Sequence, residues 1–269
     1  MRKTVRLAVP IAVLLFLYVP ILLLAFYSLT DATQIGTFHS FTLKNYATLF
    51  STEELRNMIF GTVLLALASA TLATFLGSLG AIGSFYSKKR TSAAMDTVNQ
   101  IPVINADVVT GFSLCILLVV VFGIPKDTYI PLILGHVTLS APFVYLSVIP
   151  KLKQMDSSLY EAALDLGATP VKALVKVIIP QILSGMVTGF SLAVTLSLDD
   201  YFIATYTKPA TFDTISTYVV NATKGSQTQI KTALWALSTV IFVLVIIIVL
   251  VMNINAAQAA KKARKEAKA

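Results

Sequence analysis

Three aspartates stand out because they lie in stretches of the chain that are otherwise apolar. Asp107 interrupts one such stretch, and Asp199 and Asp200 end another. A carboxylate in a membrane span costs about 2.5–3.5 kcal/mol on insertion scales, so it usually faces a charged partner or a water-filled cavity. Tyr201 and Phe202 follow directly, and acids beside aromatic rings suit an organic cation through ion pairing and cation–π contact. The pattern predicts that these aspartates line the path of a cation.

Each acid also has a simpler interpretation. Asp107 would lie at the membrane surface if its helix began later than Ile101. Asp199 and Asp200 would meet ordinary water if their helix had already left the membrane. Adjacent residues point about 100° apart around a helix, so these two carboxylates would face different directions. The sequence alone leaves both interpretations open.

Composition indicates an all-α integral membrane protein. Of the 269 residues, 56% are hydrophobic and 13% are charged, and mean hydropathy is +0.80, whereas soluble domains average about 25% charged residues. A spanning helix needs about 20 mostly apolar residues. A single transmembrane domain over residues 1–269 is predicted, with six spans at 7–29, 58–82, 101–122, 129–149, 182–205 and 232–253. The first apolar run is longer than that of a secretory signal, so it is interpreted as an anchoring span.

The positive charges predict the orientation of these spans. Most of the 21 Lys and Arg residues fall in alternate segments, at 2–6, 88–90, 151–176 and 261–268. Excess Lys and Arg mark the cytoplasmic side of a membrane protein. Both termini are therefore expected in the cytoplasm, with the basic tail near anionic lipid heads. This bias accounts for the net charge of +8 without any binding to nucleic acid.

The predicted cytoplasmic loop at 150–180 contains several residues that mark the starts and ends of helices. Ser158 followed by Glu161 is typical of a capping box, in which the two side chains satisfy backbone N–H groups of the first turn. Gly167 can adopt the left-handed conformation that ends a helix. A second short helix follows, which Pro180 is expected to end. The loop is thus predicted to be a compact helix–turn–helix unit between two spans.

Several kinds of chemistry find no support in the sequence. It has no G-x-x-x-x-G-K-[ST] phosphate loop, so ATP binding by that means is not expected. No Ser-His-Asp or metalloprotease spacing is present, and we expect no enzymatic activity. His136 stands without a second His or Cys cluster, which indicates a hydrogen-bonded packing residue and no metal site. Cys115 is the single cysteine.

The cytoplasmic loop resembles the EAA loop of ABC importer membrane subunits. The resemblance lies in Glu161–Ala163, Gly167, Pro180 and Gly185, in the loop before the second-last span. It covers essentially the whole chain and implies the type I permease fold of ABC importers with six transmembrane helices.

A finer resemblance concerns the predicted path. Asp107, Ser197–Asp200 and Lys208-Pro209 look like the spermidine/putrescine permeases of the C type. Tyr201–Ile203 is bulkier than the small β-branched residues of that group. The resemblance implies a membrane-spanning permease for polyamines in an ATP-driven, binding-protein-dependent importer of the bacterial cytoplasmic membrane.

The family resemblance also implies partners and roles. They are a second homologous permease subunit, two ATP-binding subunits docked on the EAA loop and an extracytoplasmic substrate-binding protein. ATP and magnesium would be bound by the partner ATPase and no cofactor by this chain. Glu161, Ala162, Ala163 and Gly167 would couple to the ATPase, although Glu161 could serve the helix cap instead.

Two alternatives remain open at this stage. One is an ABC import permease for another small solute. The other is a stand-alone cation channel or ion-coupled carrier, a class in which internal inverted repeats are common. No clear internal repeat is visible in the sequence, and a self-sufficient carrier has no need of a docking loop.

Overall fold

Helices account for all the regular elements of the described chain. The computed structural model describes residues 2–32, 38, 40–156, 158–224, 233–247, 249–251 and 254, of which 2–7, 223 and 224 are described by their backbone alone. In chain order the helices are α1 (Arg2–Ser28), α2 (Lys44–Ser51), α3 (Glu53–Phe85), α4 (Lys89–Ile104), α5 (Asp107–Cys115), α6 (Ile130–Gln154), α7 (Ser158–Asp165), α8 (Pro170–Ala173), α9 (Ile179–Asp199), α10 (Phe202–Thr207), α11 (Ile215–Lys224) and α12 (Ala233–Val251). Two π-helical turns, Ile116–Val121 and Leu174–Ile178, extend α5 and join α8 to α9.

In the part of the chain that the structure describes, five helical runs are long and apolar enough to cross a membrane. They are Ala8–Ser28, Glu53–Phe85, Ile130–Gln154, Pro170–Asp199 and Ala233–Val251. The bent pair of α4 and α5 would make a sixth span. The basic tail at 261–268 and the last residues of the predicted span 232–253 lie outside the described residues.

The predicted third span, 101–122, differs from the structure because it crosses a sharp bend. α4 and the run Asp107–Val121 meet at 104°. Asn105 and Ala106 both adopt extended backbone conformations, with ψ of 148° and 133°. Two extended residues interrupt the helical hydrogen-bond ladder, so Asp107 starts a new helix and does not lie within one.

The chain divides into two compact units. The terminal unit comprises 1–59 and 218–247, and the central unit comprises 60–217 and 248–269. In the terminal unit, Asn45 Nδ2 donates to the carbonyls of Ser28 (3.1 Å) and Thr30 (2.9 Å), and the rings of Tyr27 and Trp235 lie 5.8 Å apart. All the predicted site residues belong to the central unit.

Glycines bring the helices of the central unit close together. A Cβ at Gly77 of α3 would lie 2.7 Å from the carbonyl oxygen of Ala141 in α6. A Cβ at Gly189 of α9 would lie 2.9 Å from Val144 Cα, also in α6. Small residues allow such close approach of helices within a bilayer. Helix α6 is therefore held between α3 and α9.

The start of α7 differs from the predicted capping box. Asp156 Oδ1 accepts from both the backbone N–H (2.9 Å) and the hydroxyl (2.8 Å) of Ser158. Ser158 is the first residue of the helix, and its hydroxyl donates backward to Asp156. An aspartate is as good an N-terminal acceptor as a serine, so Asp156 takes the role that the sequence assigned to Ser158 with Glu161.

Of the two other predictions for the loop, the one for Gly167 is confirmed and the one for Pro180 is not. Gly167 has φ +83° and ends the turn after α7, which confirms its predicted left-handed conformation. Pro180 does not end the helix, and that prediction is wrong. The π turn Leu174–Ile178 runs directly into α9, where Pro180 occupies the first turn. The π turn accommodates the proline, because local π adjustments re-satisfy the backbone groups that lose their partner to a missing N–H.

Candidate functional site

Asp200 is a buried carboxylate that caps α10. Its side chain belongs to a residue only 8% exposed. Oδ1 accepts from the N–H of Ile203 (3.2 Å), and Oδ2 accepts from the N–H of Ala204 (2.7 Å). Both oxygens therefore serve the first turn of α10, where a negative charge also interacts favourably with the helix dipole. Asp200 holds the short helix α10 at the end of α9.

Asp199 and Asp107 are both exposed, in contrast to Asp200. Asp199 is the last residue of α9, and Asp107 is the first residue of α5. Both carboxylates are close enough to Asp200 to act on it electrostatically. The three predicted path residues thus come together, with two of them open to a ligand. Within the described part of the chain, no group of three or more His, Cys, Asp or Glu could hold a metal ion.

Helix α10 is wedged against α5 and α6. A Cβ at Gly111 of α5 would lie 3.0 Å from Ile203 Cα, and one at Gly135 of α6 would lie 2.6 Å from Ile203 Cγ2. Ile203 is fully buried. The ring of Tyr206 in α10 also packs 5.7 Å from that of Phe112 in α5. This packing explains how Asp107 of α5 comes near the acids at the end of α9.

His136 lies at the centre of a buried polar network. Its Nδ1 is 2.8 Å from Ser197 Oγ, which is 3.2 Å from Ser69 Oγ. Ser69 also donates to the Leu65 carbonyl at 2.7 Å. The network connects α3, α6 and α9 through side chains that are at most 1% exposed. The expectation of a hydrogen-bonded packing histidine is confirmed.

The sequence did not indicate that His136 faces Asp200. His136 Nε2 lies 3.7 Å from Asp200 Oδ2 and has no hydrogen-bond partner among the described residues. The two residues are distant in sequence, since His136 lies in α6 and Asp200 in the link between α9 and α10. Their approach depends on the tertiary packing of α10, for which the sequence carries no local signal.

Aromatic rings accompany the exposed acids. Tyr201 and Phe202 meet edge to face at 5.2 Å, and Phe202 is 41% exposed. Lys208 is engaged elsewhere, since its Nζ donates to the Phe212 carbonyl and pairs with Asp213 Oδ1, both at 2.9 Å. The surface around Asp107 and Asp199 therefore combines open carboxylates with aromatic rings, an arrangement that can bind an organic ammonium group.

The predicted ATPase-coupling residues form an accessible surface on and after α7. Glu161, Ala162 and Gly167 are exposed, and Ala163 is half-buried. Leu166, between them, is 90% exposed. The structure therefore leaves most of the predicted coupling residues available to a partner.

The family model described as "Binding-protein-dependent transport system inner membrane component" matches residues 73–264. The chain belongs to this family. It is accordingly a multi-pass membrane component of a transport system and not an enzyme, as predicted. The matched region includes the acids, His136, Ser197 and the EAA loop.

Two curated relatives of this permease component are polyamine permeases by name. The putrescine transport system permease protein PotI of Escherichia coli (strain K12) is 32% identical over 196 residues, which cover 71% of this chain and 70% of that protein. The spermidine/putrescine transport system permease protein PotC of Haemophilus influenzae (strain ATCC 51907 / DSM 11121 / KW20 / Rd) is 31% identical over 243 residues, covering 90% of this chain and 93% of that protein. The predicted resemblance to this group is confirmed.

A solved structure shows the same fold. It is that of a bacterial ABC transporter involved in the import of the acidic polysaccharide alginate, with a TM-score of 0.73 and 20% sequence identity. The similarity covers 95% of this permease component and 94% of the matched chain. The predicted all-α fold of an ABC importer membrane subunit is confirmed.

Proposed function

We propose that this permease component carries polyamines such as putrescine and spermidine in an ATP-driven importer. The observation that carries the proposal is the convergence of Asp107, Asp199 and Asp200 beside exposed aromatic rings. Polyamines are protonated at neutral pH and present several ammonium groups. Exposed carboxylates bind ammonium groups through charge-assisted hydrogen bonds. The names of the relatives PotI and PotC support the same substrate class.

The three acids have different roles in this proposal. Asp107 and Asp199 are exposed and contact the passing cation. Asp200 is buried and uses both oxygens to cap α10, so it sets the position of Asp199 and of the aromatic residues that follow. The negative charge of all three acids still contributes to the attraction of a cation.

Coupling to ATP takes place at the other predicted site. Two ATP-binding subunits dock on the EAA loop through Glu161, Ala162, Ala163 and Gly167, with both termini and this loop in the cytoplasm. ATP and magnesium are bound by those subunits, because this chain has no phosphate loop. A second homologous permease subunit completes the path, and an external binding protein delivers the substrate. Docking of the ATPases then moves α7 as a rigid body to switch the accessible side of the path.

Reconstitution tests the substrate assignment. The chain is assembled with its ATPase, sister permease and binding protein in proteoliposomes that contain ATP. We expect uptake of labelled putrescine or spermidine, and stimulation of ATP hydrolysis by the same polyamine with its binding protein. Uptake of a neutral sugar without uptake of either polyamine would support the alternative of another small solute. Polyamine flux through this chain without any ATPase would instead indicate a channel or carrier.

Reporter fusions test the proposed orientation. Alkaline phosphatase is active only outside the cytoplasm, whereas a green fluorescent protein fusion is bright only inside. Fusions at the C-terminus and after Lys153 are expected to be fluorescent and to lack phosphatase activity. An active phosphatase at Lys153 would place the EAA loop on the outside, where no cytoplasmic ATPase could reach it.

A further inference from the structure

Two tyrosines connect the loop that carries the EAA motif to a long membrane-spanning helix. Tyr86 directly follows the last residue of α3, and Tyr160 lies in α7. Their ring centroids are 5.2 Å apart, with a tilt of 45° between the rings. Aromatic pairs with centroids 4.5–7 Å apart contribute about 0.5–1.5 kcal/mol beyond the area that they bury. The contact therefore links α7 directly to the end of α3.

The electrostatic surroundings of Tyr86 indicate the same neighbours. Burial, the Tyr160 phenol and the Glu161 carboxylate, in that order, raise the pKa of the Tyr86 hydroxyl above its usual value of 10.0. Tyr86 thus keeps its proton at neutral pH. Glu161, the first residue of the EAA motif, is close enough to act on the end of α3. One side of α7 faces α3, while Leu166 at its far end remains 90% exposed.

Helix α3 is in turn attached to the buried network. Its Gly77 packs against the backbone of Ala141 in α6. Its Ser69 is hydrogen-bonded to Ser197 of α9 at 3.2 Å, and Ser197 contacts His136. A displacement of α3 cannot leave these contacts unchanged, because packed interiors transmit strain and do not deform continuously.

We propose that the contact between Tyr86 and Tyr160 fastens the coupling helix α7 to α3, so that movement of α7 is passed to α3 and reaches the His136–Asp200 region through Ser69. Tyr86 and Tyr160 are thus positioning residues for transport. They do not touch the substrate, and Tyr86 lies outside the EAA motif itself. This inference rests on the proposed function in one respect, namely that an ATPase moves α7.

Cross-linking tests whether the two elements stay together during transport. Tyr86→Cys and Tyr160→Cys are introduced together with Cys115→Ser, and the assembled complex is treated with a short bis-maleimide. We expect an intramolecular cross-link both without nucleotide and with a trapped ATP state, and we expect the cross-linked complex to retain transport. Cross-linking that lowers transport below that of the same double-cysteine complex before cross-linking would show that α7 must separate from α3, which would overturn the inference.

A double-mutant cycle tests whether the contact between the two tyrosines contributes to the coupling of ATP hydrolysis to transport. Tyr86→Leu and Tyr160→Leu should each lower the amount of solute transported per ATP by about two- to tenfold, the range expected from an aromatic pair. The double variant should be no worse than either single variant, since both remove the same contact. Tyr86→Phe keeps the ring and should keep normal coupling. Phe75→Leu is the control, because Phe75 is 61% exposed on the same helix. Additive losses would overturn the inference.

The tests of the tyrosine contact can fail or succeed independently of the test of the proposed function. Assembly with the ATPase and its basal hydrolysis rate are measured in every variant and do not depend on the identity of the solute. If the solute is not a polyamine, the cross-linking result and the cycle of coupling ratios still apply to whichever solute is carried. If no ATPase binds the wild-type chain, the proposed function itself fails before the tyrosines are tested.

Discussion

His136 Nε2 lies 3.7 Å from Asp200 Oδ2, with both residues buried between helices of the central unit. This distance is too long for a hydrogen bond, but a small movement of α10 would close it. Asp200 is already used as the cap of α10, so any change at His136 acts on the helix that follows the exposed Asp199. The buried pair thus connects the packing of α6 to the position of the predicted cation site.

Removal of the His136 ring should destabilise the protein. His136→Leu leaves Ser197 without its 2.8 Å partner and leaves Asp200 facing a hydrocarbon side chain. Ser197 then keeps only its 3.2 Å contact with Ser69 Oγ, and the loss of a buried hydrogen bond costs about 0.5–1.5 kcal/mol, so the melting temperature in detergent should fall. His136→Asn can still bond Ser197 and should recover part of the loss. Equal melting temperatures for the Leu variant and wild type would show that the network does not contribute to stability.

The two adjacent aspartates should respond differently to the same substitution. Asp200→Asn places an amide NH2 against one of two backbone donors, so stability should fall by about 1–2 kcal/mol, the usual value of a helix cap. Asp199→Asn should leave the melting temperature unchanged and raise the KM for polyamine uptake. Thermal unfolding of both variants measures the difference in stability, and uptake kinetics measure the difference in KM. A normal KM for Asp199→Asn would make Asp199 an ordinary surface residue.

Two glycines of α3 provide a matched pair. Gly77→Ala would place a Cβ 2.7 Å from a backbone carbonyl of α6, whereas Gly83→Ala would meet nothing within 4 Å. Gly77→Ala should therefore lower the melting temperature. Gly83→Ala should be neutral or stabilising, because Ala is favoured over Gly in helices by about 1 kcal/mol. A Gly77→Ala variant as stable as wild type would mean that α3 and α6 can separate without cost.

The turn after α7 depends on the backbone of Gly167. Its φ of +83° is inaccessible to proline, which is locked near −65°. Gly167→Pro should leave the chain inserted in the membrane but abolish ATP-coupled uptake. Gly167→Asn is the control, since Asn tolerates left-handed conformations and should retain most of the activity. Normal coupling in the Pro variant would contradict the role of this turn in docking.

The start of α7 should be insensitive to physiological changes of pH. Hydrogen bonds from the backbone N–H and the hydroxyl of Ser158 lower the pKa of Asp156 below its usual 3.8. Its stabilising effect is therefore complete above pH 3.8 and is lost as the pH falls through the lower folded-state pKa. The protection factor of the Ser158 amide, which corrects for the intrinsic rise of exchange with pH, should be constant near neutral pH, and Asp156→Ala should lower it. Equal exchange in both proteins would show that Asp156 does not cap the helix.

Much of this architecture could be predicted from local sequence patterns. Apolar runs predicted the membrane helices because a bilayer requires about 20 apolar residues per crossing. The turn at Gly167 was predictable because few other residues tolerate a positive φ. The three acids were predicted to lie along one cation path, and their roles in transport remain a prediction.

Other features depend on tertiary packing and could not be predicted. Asp199 and Asp200 are chemically identical neighbours, yet one is exposed and the other buried, because Ile203 fits against Gly111 and Gly135. This packing places Asp200 where its carboxylate caps α10. The continuation of the helix through Pro180 required a π turn, for which the local sequence has no distinctive pattern.

The helical run Pro170–Asp199 has 30 residues and is about 45 Å long at 1.5 Å per residue. The hydrocarbon core of a bilayer is about 30 Å thick, so roughly 15 Å of this run extends beyond it. Lys172 and Lys176 place the excess at the Pro170 end, next to α7. In the proposed importer, α7 therefore lies beyond the hydrocarbon core, where a soluble ATPase can contact it without displacing the membrane surface.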